Sequence, residues 1–279
     1  MKPAARTATR YWLGSAAILA FAVVFVIPFA FVLVTAMKTQ QEAGLLEFTW
    51  PTRIALLDNL REALEARDFI LIIAFINSTI LTVSSVAIMV ILAAMVGFVL
   101  QRRPTRWTGF VNFLVLSGLI IPPAVVPTIW VLQKLGLFRT MPGLILIEIA
   151  FGLSFCILLF RAFVATIPRE LDEAAIIDGA GPLRLFFGVI FPLLRSVIVT
   201  VVVIQSVNVF NDFVNPLYFL PGDKNATVQL TLYNFSSQFS TQYNLLFMDI
   251  LLITIPPLIM YLFFNRQIVA GMTSGAVKG

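Results

Sequence analysis

The sequence contains no histidine, a single cysteine and few charged residues, and each shortage excludes a class of function. Without histidine the chain cannot form a Ser-His-Asp or Cys-His catalytic group, a histidine proton relay or a histidine metal site. Cys156 alone cannot form an internal disulfide. Only 12% of the residues are charged, whereas 59% are hydrophobic, and the mean hydropathy is +0.97. Because so much apolar surface cannot be hidden in a water-soluble core, the sequence predicts a protein embedded in lipid.

Six apolar runs are long enough to cross a bilayer as helices, since about 20 residues span the hydrocarbon. They predict an all-α integral membrane fold with one transmembrane domain over residues 1–279. The six transmembrane helices are expected at about residues 11–37, 69–100, 108–132, 143–165, 193–220 and 245–264. The first run is too long for the apolar region of a cleavable signal peptide. Proline pairs are expected to interrupt the third and sixth spans, at Pro122-Pro123 and Pro256-Pro257.

The distribution of cations predicts the orientation of these spans. Most of the 19 Lys and Arg residues fall on the side of the N-terminus when the six spans are drawn. Because cytoplasmic segments are enriched in cations, both termini are expected to be cytoplasmic. Membrane topology thus explains the net charge of +5, and nucleic acid is not an expected partner. The longest outer segments are then residues 38–68, part of which has the apolar spacing of a short surface helix, and 221–244.

The segment between the fourth and fifth spans, residues 167–192, predicts two short helices joined by a turn. Thr166 is expected to cap the first helix, and Gly179 to end it in a left-handed conformation. Pro182 opens the second helix. Its apolar residues have the spacing of one helical face: Leu183, Phe186, Phe187 and Ile190. Two interpretations fit this pattern, a knob that docks in a groove of another protein or an amphipathic hairpin at the lipid interface.

A resemblance to a known family bears on this segment. The run Glu173-Ala-Ala-x-x-Asp178-Gly179-Ala180, followed by Phe187, Ile190 and Pro192, resembles the EAA loop of ABC importer permeases. In that family the loop forms a cytoplasmic coupling helix, which docks in a cleft of the ATPase subunit. The resemblance implies six coupling residues here: Glu173, Ala174, Ala175, Asp178, Gly179 and Ala180. One position departs from the pattern, because Ser196 stands where many members have a second proline.

Two shorter motifs resemble the carbohydrate-type permeases. The first is Asn211-Asp212-Phe213-x-x-Pro216-Leu217, with Phe210 in place of the usual tryptophan, and the second is the C-terminal tail, residues 266–279, which resembles that of the maltose-type second permease subunit. The resemblance implies a permease that moves a mono-, di- or oligosaccharide, or a derivative, into the cytoplasm by alternating access. It also implies the partners: a second permease subunit in a heterodimer, two ATPase subunits that hold ATP and Mg, and an extracytoplasmic solute-binding protein. The chain itself is then expected to be no enzyme and to hold no cofactor or metal.

Polar side chains recur in the fifth span and must find a protein partner or water there, because lipid leaves them unsatisfied. The candidates for a substrate pathway are Gln205, Asn208, Asn211, Asp212 and Asn215. Hydrogen bonding between helices is the alternative, and it is the preferred interpretation for Asp212, whereas the pathway is preferred for Asn208 and Asn211.

The outer segment 221–244 supplies the candidate contacts to the binding protein. By resemblance to the maltose-type relatives these are Tyr233, Asn234, Phe235 and Gln238. An aromatic belt at the membrane interface is the alternative.

Other classes of protein remain as alternatives. One is an ABC permease for a solute other than sugar, and another is an ion-coupled secondary transporter. The latter usually has internal repeats or ionisable residues at the membrane midplane, but no repeat is evident and Asp212 is the only acid expected at depth. Glu148 and Asp249 are expected near the outer interface, so an intramembrane enzyme would lack a pair of carboxylates.

Overall fold

The computed structural model describes residues 14–15, 17–222, 225–235 and 241–274, with the backbone alone at residues 234 and 265–274. The regular structure within these residues is helical. The first six helices are α1 (Ala17–Ala36), α2 (Gln40–Gly44), α3 (Leu56–Arg102), α4 (Thr108–Ile120), α5 (Val125–Lys134) and α6 (Met141–Val164). The remaining helices are α7 (Glu170–Ile177), α8 (Pro182–Leu193), α9 (Arg195–Phe210), α10 (Val214–Phe219), α11 (Val228–Thr231), a 3-10 turn (Leu232–Phe235) and α12 (Tyr243–Ser274).

Four of the described helices are long and apolar enough to cross a membrane, namely α1, α3, α6 and the part Tyr243–Phe264 of α12. Helices α8 and α9 are together also long and apolar enough to cross a membrane. They are bent by 76° at the break between them. The apolar helix α4 has only 13 residues. The predicted third span is therefore broken into α4 and α5, and the proline pair at residues 122–123 lies in the break, where it cannot continue a helix. Pro256 and Pro257, by contrast, lie inside α12, which continues past them.

The chain groups into two compact units, one drawn from residues 1–71 and 231–255 and the other from residues 72–230 and 256–279. A buried amide organises the first unit. Asn59 is 3% exposed, and its side-chain nitrogen donates to the carbonyl oxygens of Ala36 and Lys38, each at 2.8 Å. Its side-chain oxygen accepts a hydrogen bond of 2.8 Å from Asn244. The ends of α1, α3 and α12 are joined in this way, and every polar atom of the Asn59 side chain has a partner.

The backbone of α3 leaves the helical conformation at residues 66–69. Three consecutive residues, Arg67, Asp68 and Phe69, have φ between 49° and 62°, a region that residues other than glycine seldom occupy. The surface helix predicted within residues 38–68 forms the part of α3 that precedes this break. The helix resumes after Phe69, where the sequence predicts the second span to begin.

The core of the second unit lies where α3, α6, α8 and α9 meet. It contains large side chains that are fully buried, among them Met89, Phe160, Ile190 and Leu194. Gly97 permits the close approach of α3 to α6, because a Cβ atom there would lie 2.9 Å from the backbone nitrogen of Arg161.

Candidate functional site

A cavity of about 570 Å³ with both polar and apolar walls opens between α6 and α9 in the second unit. Four of the five predicted pathway residues line it: Gln205, Asn208, Asn211 and Asp212. Apolar side chains from the two helices complete the walls, and none of the described lining residues is Lys or Arg. Asn208 and Asn211 are exposed, whereas Gln205 is buried. The cavity therefore presents amide groups that can donate and accept hydrogen bonds.

Glu148, expected from the sequence near the outer interface, also lines the cavity. Its side chain is only 6% exposed. The side-chain nitrogen of Asn215, the fifth predicted pathway residue, donates to Oε1 of Glu148 at 3.2 Å. Asp212 lies close enough to Glu148 to interact with it directly. This pair of carboxylates is not apparent from the sequence, because the fold brings the two acids together from segments that are distant in sequence.

Asp212 also has a structural role. Its Oδ1 accepts hydrogen bonds from the backbone N–H groups of Val214 at 2.8 Å and Asn215 at 3.3 Å. These bonds cap the start of α10, where the fifth predicted span breaks after Phe210. The side-chain oxygen of Asn211 accepts a hydrogen bond from Gln229 at 3.1 Å. Asn211 and Asp212, which lie in this break, line the edge of the cavity.

The other buried acid, Asp249, lies in the first unit. It is fully buried, and its Oδ2 accepts a hydrogen bond of 2.9 Å from the hydroxyl of Thr231. This residue, too, is expected from the sequence near the outer interface. Its position in an apolar run gave no indication of the hydroxyl partner, which comes from a separate short helix.

The second candidate surface is the segment 167–192. The two predicted helices are present as α7 and α8, and Gly179 has φ of +81° after the end of α7, as predicted. Thr166 does not cap α7: its hydroxyl donates to the carbonyl oxygen of Phe163 at 2.7 Å, and Arg169 takes the N-cap position. The prediction of that cap was wrong because α7 begins later than expected.

The apolar face predicted for the second helix of this segment is divided in two. Phe186 and Ile190 are buried, whereas Leu183 and Phe187 are 66% and 47% exposed. Residues 186–190 form a π-helical turn. A π-turn contains more residues than an α-turn, so it rotates the residues that the 3.6-residue period would place on one face. The predicted single face is therefore wrong.

Helix α7 contains no buried residue. Four of the six residues predicted to couple to an ATPase are exposed, Glu173, Ala174, Asp178 and Gly179, and the other two, Ala175 and Ala180, are partly exposed. Beside them the apolar side chains of α7 are also open to contact: Leu171, Ile176 and Ile177 are 40%, 51% and 84% exposed. A short helix that presents small, acidic and apolar residues together is suited to a protein partner.

The predicted contacts to a binding protein are only partly described. Tyr233 is 62% exposed, whereas Phe235 is buried against Leu245 and Met248. The side chain of Asn234 and the whole of Gln238 lie outside the described residues. The same holds for the side chains of the tail, residues 266–279.

Comparison with known proteins identifies the class. The family described as "binding-protein-dependent transport system inner membrane component" matches residues 71–273. The melibiose/raffinose/stachyose import permease protein MelC of Bacillus subtilis (strain 168) is 32% identical over 256 residues, which are 91% of each chain. The diacetylchitobiose uptake system permease protein NgcG of Streptomyces coelicolor is 30% identical over 270 residues, 95% of this chain and 88% of that protein.

The fold has a counterpart among solved structures. A chain of a bacterial ABC transporter involved in the import of the acidic polysaccharide alginate superposes with a TM-score of 0.80 at 18% identity, over 95% of this chain and 98% of that one. The fold is thus that of an importer permease, all-helical with several apolar helices. The chain belongs to the family of inner membrane components of binding-protein-dependent transport systems, and it is a multi-pass membrane protein.

Proposed function

We propose that this chain is one of two permease subunits of an ATP-driven importer that moves a carbohydrate into the cytoplasm. The relatives MelC and NgcG are sugar permeases, and they match this chain along nearly its whole length. The single domain crosses the membrane six times, with α4–α5 and α9–α10 as the two broken spans, and both termini are cytoplasmic. ATP and Mg belong to two partner ATPase subunits, and the sugar arrives on an extracytoplasmic binding protein.

The exposure of α7 is the observation that carries the coupling role. Helix α7 has no buried residue and leaves Ile177 84% exposed, so its apolar side chains are open to a protein partner. Docking in a cleft of the ATPase subunit would cover these side chains. Glu173 and the small residue Ala174 then allow close approach and directional contacts, and the left-handed Gly179 ends the docking helix.

If α7 instead lies at the lipid interface, the opposite result is expected for the substitution Glu173→Arg. A cation is favoured beside the cytoplasmic leaflet, so Glu173→Arg would be tolerated there. In a protein cleft the same change reverses the charge at the contact and weakens docking. Glu62→Arg is the matched control, because Glu62 is also exposed on a helix but lies in the first unit.

The experiment is purification of the chain from its native membrane in mild detergent, followed by mass spectrometry of the proteins that accompany it. We expect the wild type and Glu62→Arg to retain an ATPase and a second permease, and Glu173→Arg to lose the ATPase selectively. A wild-type chain that purifies alone would contradict the importer assignment. An ATPase retained by Glu173→Arg would place α7 at the lipid interface.

The cavity between α6 and α9 is this chain's part of the sugar pathway. Amides at Asn208 and Asn211 can exchange hydrogen bonds with sugar hydroxyls. Two acids, Glu148 and Asp212, line the same cavity, and none of its described lining residues is a Lys or Arg that could pair with the carboxylate of a uronate. The substrate class is therefore neutral sugars rather than uronates, in contrast to the acidic polysaccharide of the similar solved importer.

Competition in uptake experiments tests this substrate class. Neutral disaccharides such as melibiose or trehalose should compete with the transported sugar, whereas an oligo-uronate should not. Effective competition by the uronate would refute the electrostatic argument.

A further inference from the structure

Arg102 and Asp172 form a buried ion pair beneath α7. Arg102 is the last residue of α3, and Asp172 lies in the first turn of α7. Nε of Arg102 is 3.0 Å from Oδ2 of Asp172, and the two side chains are only 6% and 14% exposed. The pair Arg53–Asp58 in the first unit, by contrast, leaves both side chains mostly exposed. Burial makes the Arg102–Asp172 contact far more dependent on its geometry than a surface pair.

Arg102 also holds the chain that enters α7. Its Nη2 donates to the carbonyl oxygen of Ile167 at 2.6 Å and to that of Pro168 at 3.4 Å. One guanidinium group therefore binds both the loop that leads into α7 and the first turn of α7. The planar, multidentate geometry of arginine suits this double contact, which a lysine could not reproduce.

An aromatic contact accompanies the ion pair one turn earlier on α3. The rings of Phe98 and Phe186 are 5.7 Å apart, and both residues are buried. Since Phe186 belongs to α8, both helices of the segment 167–192 rest on the last turns of α3. Gly97, in the same turn, packs against the backbone of α6.

We propose that the Arg102–Asp172 pair is a positioning link that transmits the movement of α7 to α3. This inference rests on the coupling role proposed above for residues 167–192. Helix α7 has no buried residue, and its small Ala175 packs only partly buried against the core. The Arg102–Asp172 contact therefore gives α7 a charged anchor on α3. Without the link, α7 can follow the ATPase while α3 stays behind.

A buried ion pair is seldom the most stable choice, because well-packed apolar residues at the same positions are often equally stabilising. This allows stability and positioning to be separated. The double variant Arg102→Met with Asp172→Leu fills the same space without charge and keeps α7 attached. It also lacks the charge contact with Asp172 and the hydrogen bond to the carbonyl of Ile167, so α7 can slide on α3.

The test uses the complete importer, with both permeases, the ATPases and the binding protein, reconstituted in lipid vesicles. The quantity measured is the factor by which the binding protein stimulates ATP hydrolysis, since that signal must pass through the permeases to reach the ATPases. We expect the double variant to assemble and to hydrolyse ATP. Its stimulation factor should fall about tenfold or more, which is the size of a typical energetic coupling between two sites. The exposed pair changed in the same way, Arg53→Met with Asp58→Leu, should keep the wild-type factor.

An assembled double variant with wild-type stimulation would overturn the proposal, because the pair would then serve stability alone. If the double variant does not assemble, the milder Asp172→Asn, which keeps the shape of the side chain, decides the matter by the same measurement. Wild-type stimulation in that variant would again overturn the proposal. Absence of the ATPases or of stimulation in the wild-type importer would instead refute the proposed function, so the two failures can be told apart.

Discussion

Replacement of Gly97 by alanine is expected to destabilise the fold by forcing α3 away from α6. The added Cβ would lie 2.9 Å from the backbone nitrogen of Arg161, 3.0 Å from Cβ of Phe160 and 3.2 Å from the carbonyl oxygen of Ile157. Ordinary van der Waals contacts at such a position are 3.4–4 Å, so the helices must separate by about half an ångström. Two of the three atoms belong to the backbone, and no side-chain rotation can relieve the clash.

The size of the effect follows from two opposing terms. Overpacking of a well-packed core costs about 1–3 kcal/mol. Alanine is favoured over glycine inside a helix by about 0.8–1.0 kcal/mol, which offsets part of that cost. The net result is a loss of up to about 2 kcal/mol in the free energy of unfolding.

Thermal unfolding in mild detergent, followed by circular dichroism of the helices, measures this loss. The matched control is Gly109→Ala, because Gly109 lies in α4 and a Cβ there would meet no atom within 4 Å. The control should melt at or above the wild-type temperature and Gly97→Ala below it. A Gly97→Ala variant as stable as the control would refute the close packing of α3 on α6.

Three further predictions concern hydrogen bonds. Asn59→Leu should lower the free energy of unfolding by roughly 2–4 kcal/mol, since each buried polar group left unpaired costs about 1–3 kcal/mol; unchanged thermal unfolding would contradict this. Asn215→Leu removes the donor to Glu148 and should reduce sugar uptake while the ATPases still co-purify, whereas undiminished uptake would exclude Glu148 from the pathway. A hydrogen bond from Thr52 is the main cause that lowers the pKa of Glu42 from its ordinary value, so Thr52→Ala should raise that pKa in a carboxyl-carbon NMR titration; an unmoved titration would disprove the contact.

Features of this fold that depend on local chemistry could be predicted from the sequence. Gly179 takes the left-handed conformation that ends α7, because glycine has no Cβ to oppose it. The prolines at residues 122–123 separate α4 from α5, since proline lacks the N–H that a helix requires. The predicted positions of α7 and of the polar residues on α9 rest on the same local rules.

Features that depend on contacts between distant residues could not be predicted. Glu148 is placed beside Asp212 and Asn215 by the packing of α6 against α9 and by the break after α9, and neither is visible in an apolar run. The π-turn at residues 186–190 is another example, because helical periodicity assumes 3.6 residues per turn throughout. The partner of Arg102 is found only when α7 folds back onto the end of α3.

The central claim is that this chain imports a sugar, that ATP hydrolysis on partner subunits drives the import, and that α7 couples the two. The most direct measurement is uptake of a radiolabelled neutral disaccharide by vesicles that contain the reconstituted importer, with ATP and the binding protein each present or omitted. The account predicts uptake only when both are present, and its loss in Glu173→Arg while Glu62→Arg transports normally. Uptake that continues without ATP, and that stops when an ionophore dissipates the ion gradients, would contradict it.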